Sequence, residues 1–90
     1  MNSLHCVVTG QVQGVCFRSW VFDQAQSLGL NGWVRNLDDG KVEILAQGEE
    51  ASAEEFKKRL RRGSQLSRVE DVKGAWIDYD KTYSGFEIRG

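Results

Sequence analysis

The sequence predicts an α+β sandwich, and three features point to it. Apolar residues alternate with polar ones in several short stretches, the period of a half-buried strand. Two other stretches carry an apolar stripe at helical spacing. Glycines and an Asp-Gly pair separate these segments, and the chain contains no proline.

Strand 1 is expected over Leu4 to Val12, where Leu4, Cys6 and Val8 share one parity and His5, Val7 and Thr9 the other. Helix 1 is expected from Ser19 to Leu28, with Val21, Ala25 and Leu28 on one stripe, Phe22 beside it and Gly29 as its stop. Gly32 to Leu37 reads as strand 2. Asp38-Asp39-Gly40 reads as a tight hairpin turn, because Asp-Gly accepts the positive φ that such turns demand. Val42, Ile44 and Ala46 alternate along strand 3, which is expected to end near Gly48. Ser52 and Glu55 have capping-box spacing and are expected to open helix 2. That helix runs to about Arg62, with Phe56 and Leu60 inward and Gly63 as its end. Val69 to Tyr79 is a longer strand, and Gly85 to Arg89 a last short one.

The order β-α-β-β-α-β with an extra terminal strand predicts a ferredoxin-like fold: one antiparallel sheet with two helices on one face. The ninety residues, 1–90, are expected to form a single domain. This topology inserts strand 3 between strands 1 and 2. The ends of strands 1 and 2 then lie on the same edge of the sheet, about 10 Å apart.

The first of those ends is the most distinctive segment, Gly10-Gln11-Val12-Gln13-Gly14-Val15-Cys16-Phe17-Arg18. Two glycines permit a tight curl that residues with a Cβ resist. Such a curl at a helix N-terminus aims backbone N–H groups at one point, where the helix dipole also favours an anion. Arg18 adds a planar fork matched to phosphate oxygens. The segment therefore reads as an oxyanion cradle. Asn36, at the second strand end, can reach inward toward the same anion.

Composition limits the alternatives. The net charge is −1, so bulk charge favours neither nucleic acid nor membrane. No apolar run approaches the roughly 20 residues needed to span a bilayer. Met1-Asn2-Ser3-Leu4-His5 lacks the basic and apolar regions of a secretory signal. Cys6 and Cys16 are too few for a disulfide scaffold, and reduced thiols in a cytoplasmic protein are expected. The single histidine and scattered carboxylates show no metal-ligand spacing, so no metal or other cofactor is expected.

Gly10-x-Val12-Gln13-Gly14-Val15-x-Phe17-Arg18 and Gly32-Trp33-Val34-x-Asn36-x-x-Asp39-Gly40 resemble the two motifs of the acylphosphatase family. Val42-Glu43, Gly48-Glu49, Ser67-Arg68-Val69 and Phe86-x-Ile88-Arg89 agree in the same order, so the resemblance covers nearly the whole chain. It implies hydrolysis of a small acyl phosphate to a carboxylate and orthophosphate. Phosphate would be held by Arg18 and by the backbone amides of Gln13, Gly14, Val15, Cys16, Phe17 and Arg18, while Asn36 positions the attacking water. Cys16 falls where the family varies, and Gly90 stands where many members end in an aromatic residue.

The chemistry is physically consistent with these residues. A carboxylate with a pKa near 4 leaves readily and needs little help from an acid. Positioning and electrostatics can then supply the catalysis. Asn36 can both donate to and accept from a water molecule. No side chain near the motif is an obvious general base, and a substrate phosphate oxygen is the expected proton acceptor.

Three rival functions deserve comparison. A cysteine phosphatase needs a thiolate and an arginine on one short loop, whereas Cys6 falls within a strand and Cys16 reads as a bystander. An RNA-binding domain of this strand order needs aromatics on its central strands, yet His5 to Thr9 and Lys41 to Leu45 offer no Phe, Tyr or Trp. Trp20, Trp33 and Trp76 read as packing residues, and the basic run from Lys57 to Arg62 reads as a solvated helix face with Glu54–Lys58 and Glu55–Arg59 pairs. The third rival is a non-catalytic anion-binding or regulatory domain, or a module of a larger assembly. Asn36 favours the enzyme, because a mere binder has no use for a water-orienting amide. The compact chain is expected to be a monomer, with neither nucleic acid nor membrane as partner.

Overall fold

A computed structural model describes all residues, 1–90. Its elements are β1 (Asn2–Gln11), α1 (Phe17–Ser27), β2 (Asn31–Asn36), β3 (Val42–Gln47), α2 (Glu50–Arg62), β4 (Arg68–Asp78) and β5 (Phe86–Arg89). The five strands form one sheet in the order β4-β1-β3-β2-β5. β3 lies between β1 and β2 as the topology requires, antiparallel to both.

Alternation decides which face of the sheet is covered. Leu4, Cys6 and Val8 on β1, Ile44 and Ala46 on β3, and Val34 on β2 point to the helix side and are fully buried. They pack against Phe17, Val21 and Ala25 of α1 and Ala53, Phe56 and Leu60 of α2 in one core. Leu28 and Phe22 lie partly buried beside that core. No helix is long and apolar enough to cross a membrane.

Four expectations need correction. The sheet is mixed: β5 pairs parallel to β2, with Val34 opposite Ile88. The chain leaves β4 at one edge and returns at the other, so β5 runs in the same direction as β2. Helix 1 starts at Phe17, two residues before the expected Ser19, because a left-handed turn at Cys16 brings the chain into helical geometry earlier. The Ser52–Glu55 capping box is absent. Helix 2 starts at Glu50 behind an extended Glu49, with acidic side chains near the positive end of the helix dipole. Finally, Arg59 keeps its expected Glu55 partner at 3.0 Å, but Glu54 accepts from Trp76 rather than pairing with Lys58. The β2–β3 hairpin turns on Asp38-Asp39-Gly40 as expected: the Leu37 amide donates to the Lys41 carbonyl at 2.8 Å, Gly40 takes the positive φ, 89°, and Asp39 Oδ1 accepts the Lys41 amide at 3.1 Å.

The uncovered face mixes polar side chains with Val7, Ala75 and Ile77, and on it Trp33 and Leu45 lie buried. Trp33 sits under two guanidinium groups, Arg35 at 5.1 Å and Arg89 at 5.0 Å from its ring centre. Glu43 lies between His5 (2.7 Å) and Arg35 (2.6 Å). Partial burial pushes the Glu43 carboxyl up, but these hydrogen bonds outweigh it and hold the carboxyl below its ordinary value.

One backbone contact governs the end of β1. Between Thr9 and Gly10 the register with β4 shifts, because Glu70 is an extra residue on β4, a bulge opposite the end of β1. Gly10 has φ 138°, and a Cβ there would lie 2.0 Å from the Arg68 carbonyl oxygen. Gly10→Ala therefore forces backbone apart and should lower stability by at least about 2 kcal/mol, read as a fall in the urea midpoint. An unchanged midpoint would overturn the close approach.

Candidate active site

The segment after Gly10 has an alternating backbone. Gly14 (φ 73°) and Cys16 (φ 58°) are left-handed, while Gln13, Val15 and Phe17 are not. Alternation of hand turns successive N–H groups to one side and makes an anion-binding concavity. Glycine adopts this conformation freely, whereas Cys16 pays about 1–2 kcal/mol for it. Cys16 is also the N-cap of α1, and its side chain makes no capping bond. The first N–H groups of the helix are thus left to face whatever occupies the concavity.

A cavity of about 380 Å³ opens here, lined by Val12, Gln13, Gly14, Cys16, Phe17, Arg18, Ser19, Asn36 and Ile88. It brings together the two strand ends that the topology places side by side. Arg18, half-buried in the first turn of α1, donates from one terminal nitrogen to the Arg89 carbonyl of β5 at 2.6 Å. That bond fixes the guanidinium while leaving its other N–H groups for a ligand. Asn36 enters from the end of β2. Its Oδ1 is buried and finds no hydrogen-bond partner in the protein. A buried acceptor without a partner costs about 1–3 kcal/mol, so one at a cavity wall calls for a functional explanation.

Of the expected site residues, Gln13, Gly14, Cys16, Phe17, Arg18 and Asn36 line the cavity. Val15 does not, and its side chain packs against the core. Sequence reasoning missed two contributions from β5, the Arg89 carbonyl and the exposed Ile88 on the cavity rim. The Phe86-x-Ile88-Arg89 match was the available signal, but only the pairing of β5 with β2 reveals why it matters. The Gln13 side chain was also missed. It reaches away from the cradle to two carbonyls of the β2–β3 loop.

The thiols play contrasting parts. Cys6 is buried between the sheet and α2, and burial pushes its thiol up to about 11, with Lys57 and Arg61 only partly opposing this. A group held so firmly as the neutral thiol is no nucleophile near neutrality. Cys16 is exposed. No group of three or more His, Cys, Asp or Glu is placed to hold a metal ion.

Fold and cavity together define the class: a ferredoxin-like α+β domain with a glycine-bent loop and an arginine where its first strand meets its first helix. A model of the acylphosphatase family matches residues 4–88. An acylphosphatase of Nitrosococcus oceani is 44% identical over 89 residues, covering 99% of each chain. One from Bacillus pumilus is 41% identical over 90 residues and covers all of both. The crystal structure of acylphosphatase from Bacillus subtilis superposes with a TM-score of 0.94 at 38% identity, over the full length of both chains. An acylphosphatase from Coxiella burnetii gives 0.92 at 39%, over 98% of this chain and 92% of that one. The chain belongs to the acylphosphatase family and is an enzyme of that family.

A thiol reagent added to the native protein at neutral pH should modify Cys16 and leave Cys6 untouched until denaturant is added. Equal rates for both thiols would overturn the burial of Cys6.

Proposed function

We propose that the chain hydrolyses acyl phosphates to a carboxylate and orthophosphate by direct attack of water. The observation that carries this reading is the pairing of Arg18 with the unpartnered Asn36 Oδ1 across one cavity. Membership of the acylphosphatase family supports the reaction. A purely anion-binding domain has no need of the second group.

In this mechanism the phosphoryl group lies against the N–H groups of Gln13 to Arg18. The free edge of the Arg18 guanidinium binds its equatorial oxygens. These donors are fixed before substrate arrives, so they stabilise transition-state charge with little reorganisation. The Asn36 side-chain amide hydrogen-bonds a water molecule and turns that water's lone pair toward phosphorus. The P–O bond to the acyl group breaks as the new one forms, and the electron pair leaves with the carboxylate. The water's proton passes to a phosphate oxygen. The enzyme acts in the cytoplasm as a monomer on this reading, with no cofactor and no nucleic-acid partner.

Phosphate release from benzoyl phosphate, measured against spontaneous hydrolysis, tests the activity. Arg18→Gln should lower turnover by roughly a hundredfold or more and weaken competitive inhibition by inorganic phosphate. Retained turnover with normal phosphate inhibition would sink the cradle assignment. Asn36→Ala should instead cut kcat strongly while leaving the inhibition constant for phosphate nearly unchanged, because its contact is made in the transition state. Circular dichroism and a denaturant midpoint close to wild type exclude a folding defect. A folded variant with near-normal kcat would reduce Asn36 to a turn residue.

A further inference from the structure

Phosphate and water must be held at a set separation, yet they are carried by different segments. The cradle and Arg18 belong to the β1–α1 connection, and Asn36 ends β2. The backbone ladder does not reach far enough to join them. Pairing of β1 with β3 ends at Val8 opposite Val42, and beyond it Gly10 and Gln11 pair only with β4. The other ladder ends at Asn36 opposite Val42. Past these points a side chain makes the connection. Gln13 Nε2 donates to the Leu37 carbonyl at 2.8 Å and to the Lys41 carbonyl at 2.9 Å. Leu37 directly follows Asn36, and its own amide donates to the same Lys41 carbonyl at 2.8 Å. Both acceptors therefore lie at the neck of the loop that carries Asn36. The Gln13 amide has two N–H donors, and the two carbonyls use both.

We propose that the Gln13 side chain is a positioning residue, a strut that sets the distance between the phosphate cradle and the water-orienting Asn36. This rests on the role given to Asn36 above. The side chain acts through Asn36 and the loop neck rather than on the reacting atoms. Reactivity depends steeply on such a distance, and a misplacement of about 1 Å can cost roughly a hundredfold in rate. An apolar residue of similar length would fill the space without the two bonds. A carboxylate in the same place would be repelled by both carbonyls.

The test is a double-mutant cycle on benzoyl phosphate hydrolysis with Gln13→Met, Gln13→Glu and Asn36→Ala. Each Gln13 variant should lose roughly 10- to 100-fold in kcat. KM and the inhibition constant for phosphate should stay within about threefold, because the cradle amides and Arg18 remain. Combined with Asn36→Ala, Gln13→Met should cost less than about twofold more, since a strut that acts through Asn36 has nothing left to position. The same loss in both backgrounds would overturn the proposal. So would phosphate inhibition that weakens in step with kcat, which would place Gln13 in the cradle alone. If neither Gln13 variant folds, the residue is a folding element and the proposal also fails. The role of Asn36 fails separately, if Asn36→Ala alone keeps near-normal kcat.

Discussion

The position of β3 between β1 and β2 is the constraint on which the rest depends. Its backbone hydrogen bonds to both neighbours fix their separation and register. Val42 is the hinge point, because it lies opposite Val8 on one side and Asn36 on the other. Every functional group is placed relative to that row. The cradle is reached by continuing β1 past Val8 through Gly10, opposite the β4 bulge, and Asn36 is the residue at which β2 stops. A slip of β2 by one residue against β3 would turn Asn36 to the uncovered face, and the core residue Val34 with it. The same apolar alternation that builds the core therefore aims the site.

The core also explains why one end of the sheet can afford strain. Phe17 and Val12 are buried immediately on either side of the exposed part of the cradle. The loop is anchored at both ends by apolar packing, while Gly14 and Cys16 between them take left-handed backbone. A left-handed cysteine is unfavourable by itself, but two buried anchors leave the chain few ways to relax. The Arg89 carbonyl adds a third restraint, from the far edge strand to Arg18. Rigid placement of this kind suits a reaction that relies on position and charge.

Much of this was legible in the sequence, and for identifiable reasons. Strong apolar alternation in Leu4 to Val8 and Val42 to Ala46 marked the central strands. The stripes of Val21 with Ala25 and Phe56 with Leu60 marked the helices. The juxtaposition of Arg18 and Asn36 followed from strand order alone. What escaped were features decided by tertiary contact. Ser52 and Glu55 have the spacing of a capping box, but Gly48 (φ 159°) turns the chain off β3 soon enough for the helix to begin at Glu50. The Asp38-Asp39-Gly40 turn was legible, but the local code cannot show that Gln13 bonds to the neck of that loop from across the site. The parallel pairing of β5 depends on where the chain crosses after β4, which residues 79–85 do not encode as a periodic pattern.

The groups assembled at the cavity share a property that bears on how such a site works. Arginine stays charged across the accessible pH range, and asparagine and backbone amides do not titrate. Apart from the exposed Cys16 thiol on the cavity wall, the histidine, carboxylate and thiol groups closest to the sheet lie elsewhere: His5 and Glu43 are paired on the opposite face, and Cys6 is sealed beneath α2. A cavity lined by no histidine or carboxylate suits a reaction that asks for little acid–base help. Hydrolysis of an acyl phosphate fits that condition, because the leaving carboxylate is a weak base and the phosphoryl group can itself take up the water's proton. A phosphate ester, whose alkoxide leaving group is far more basic, asks for a strong proton donor, and no histidine or carboxylate lines this cavity to supply one.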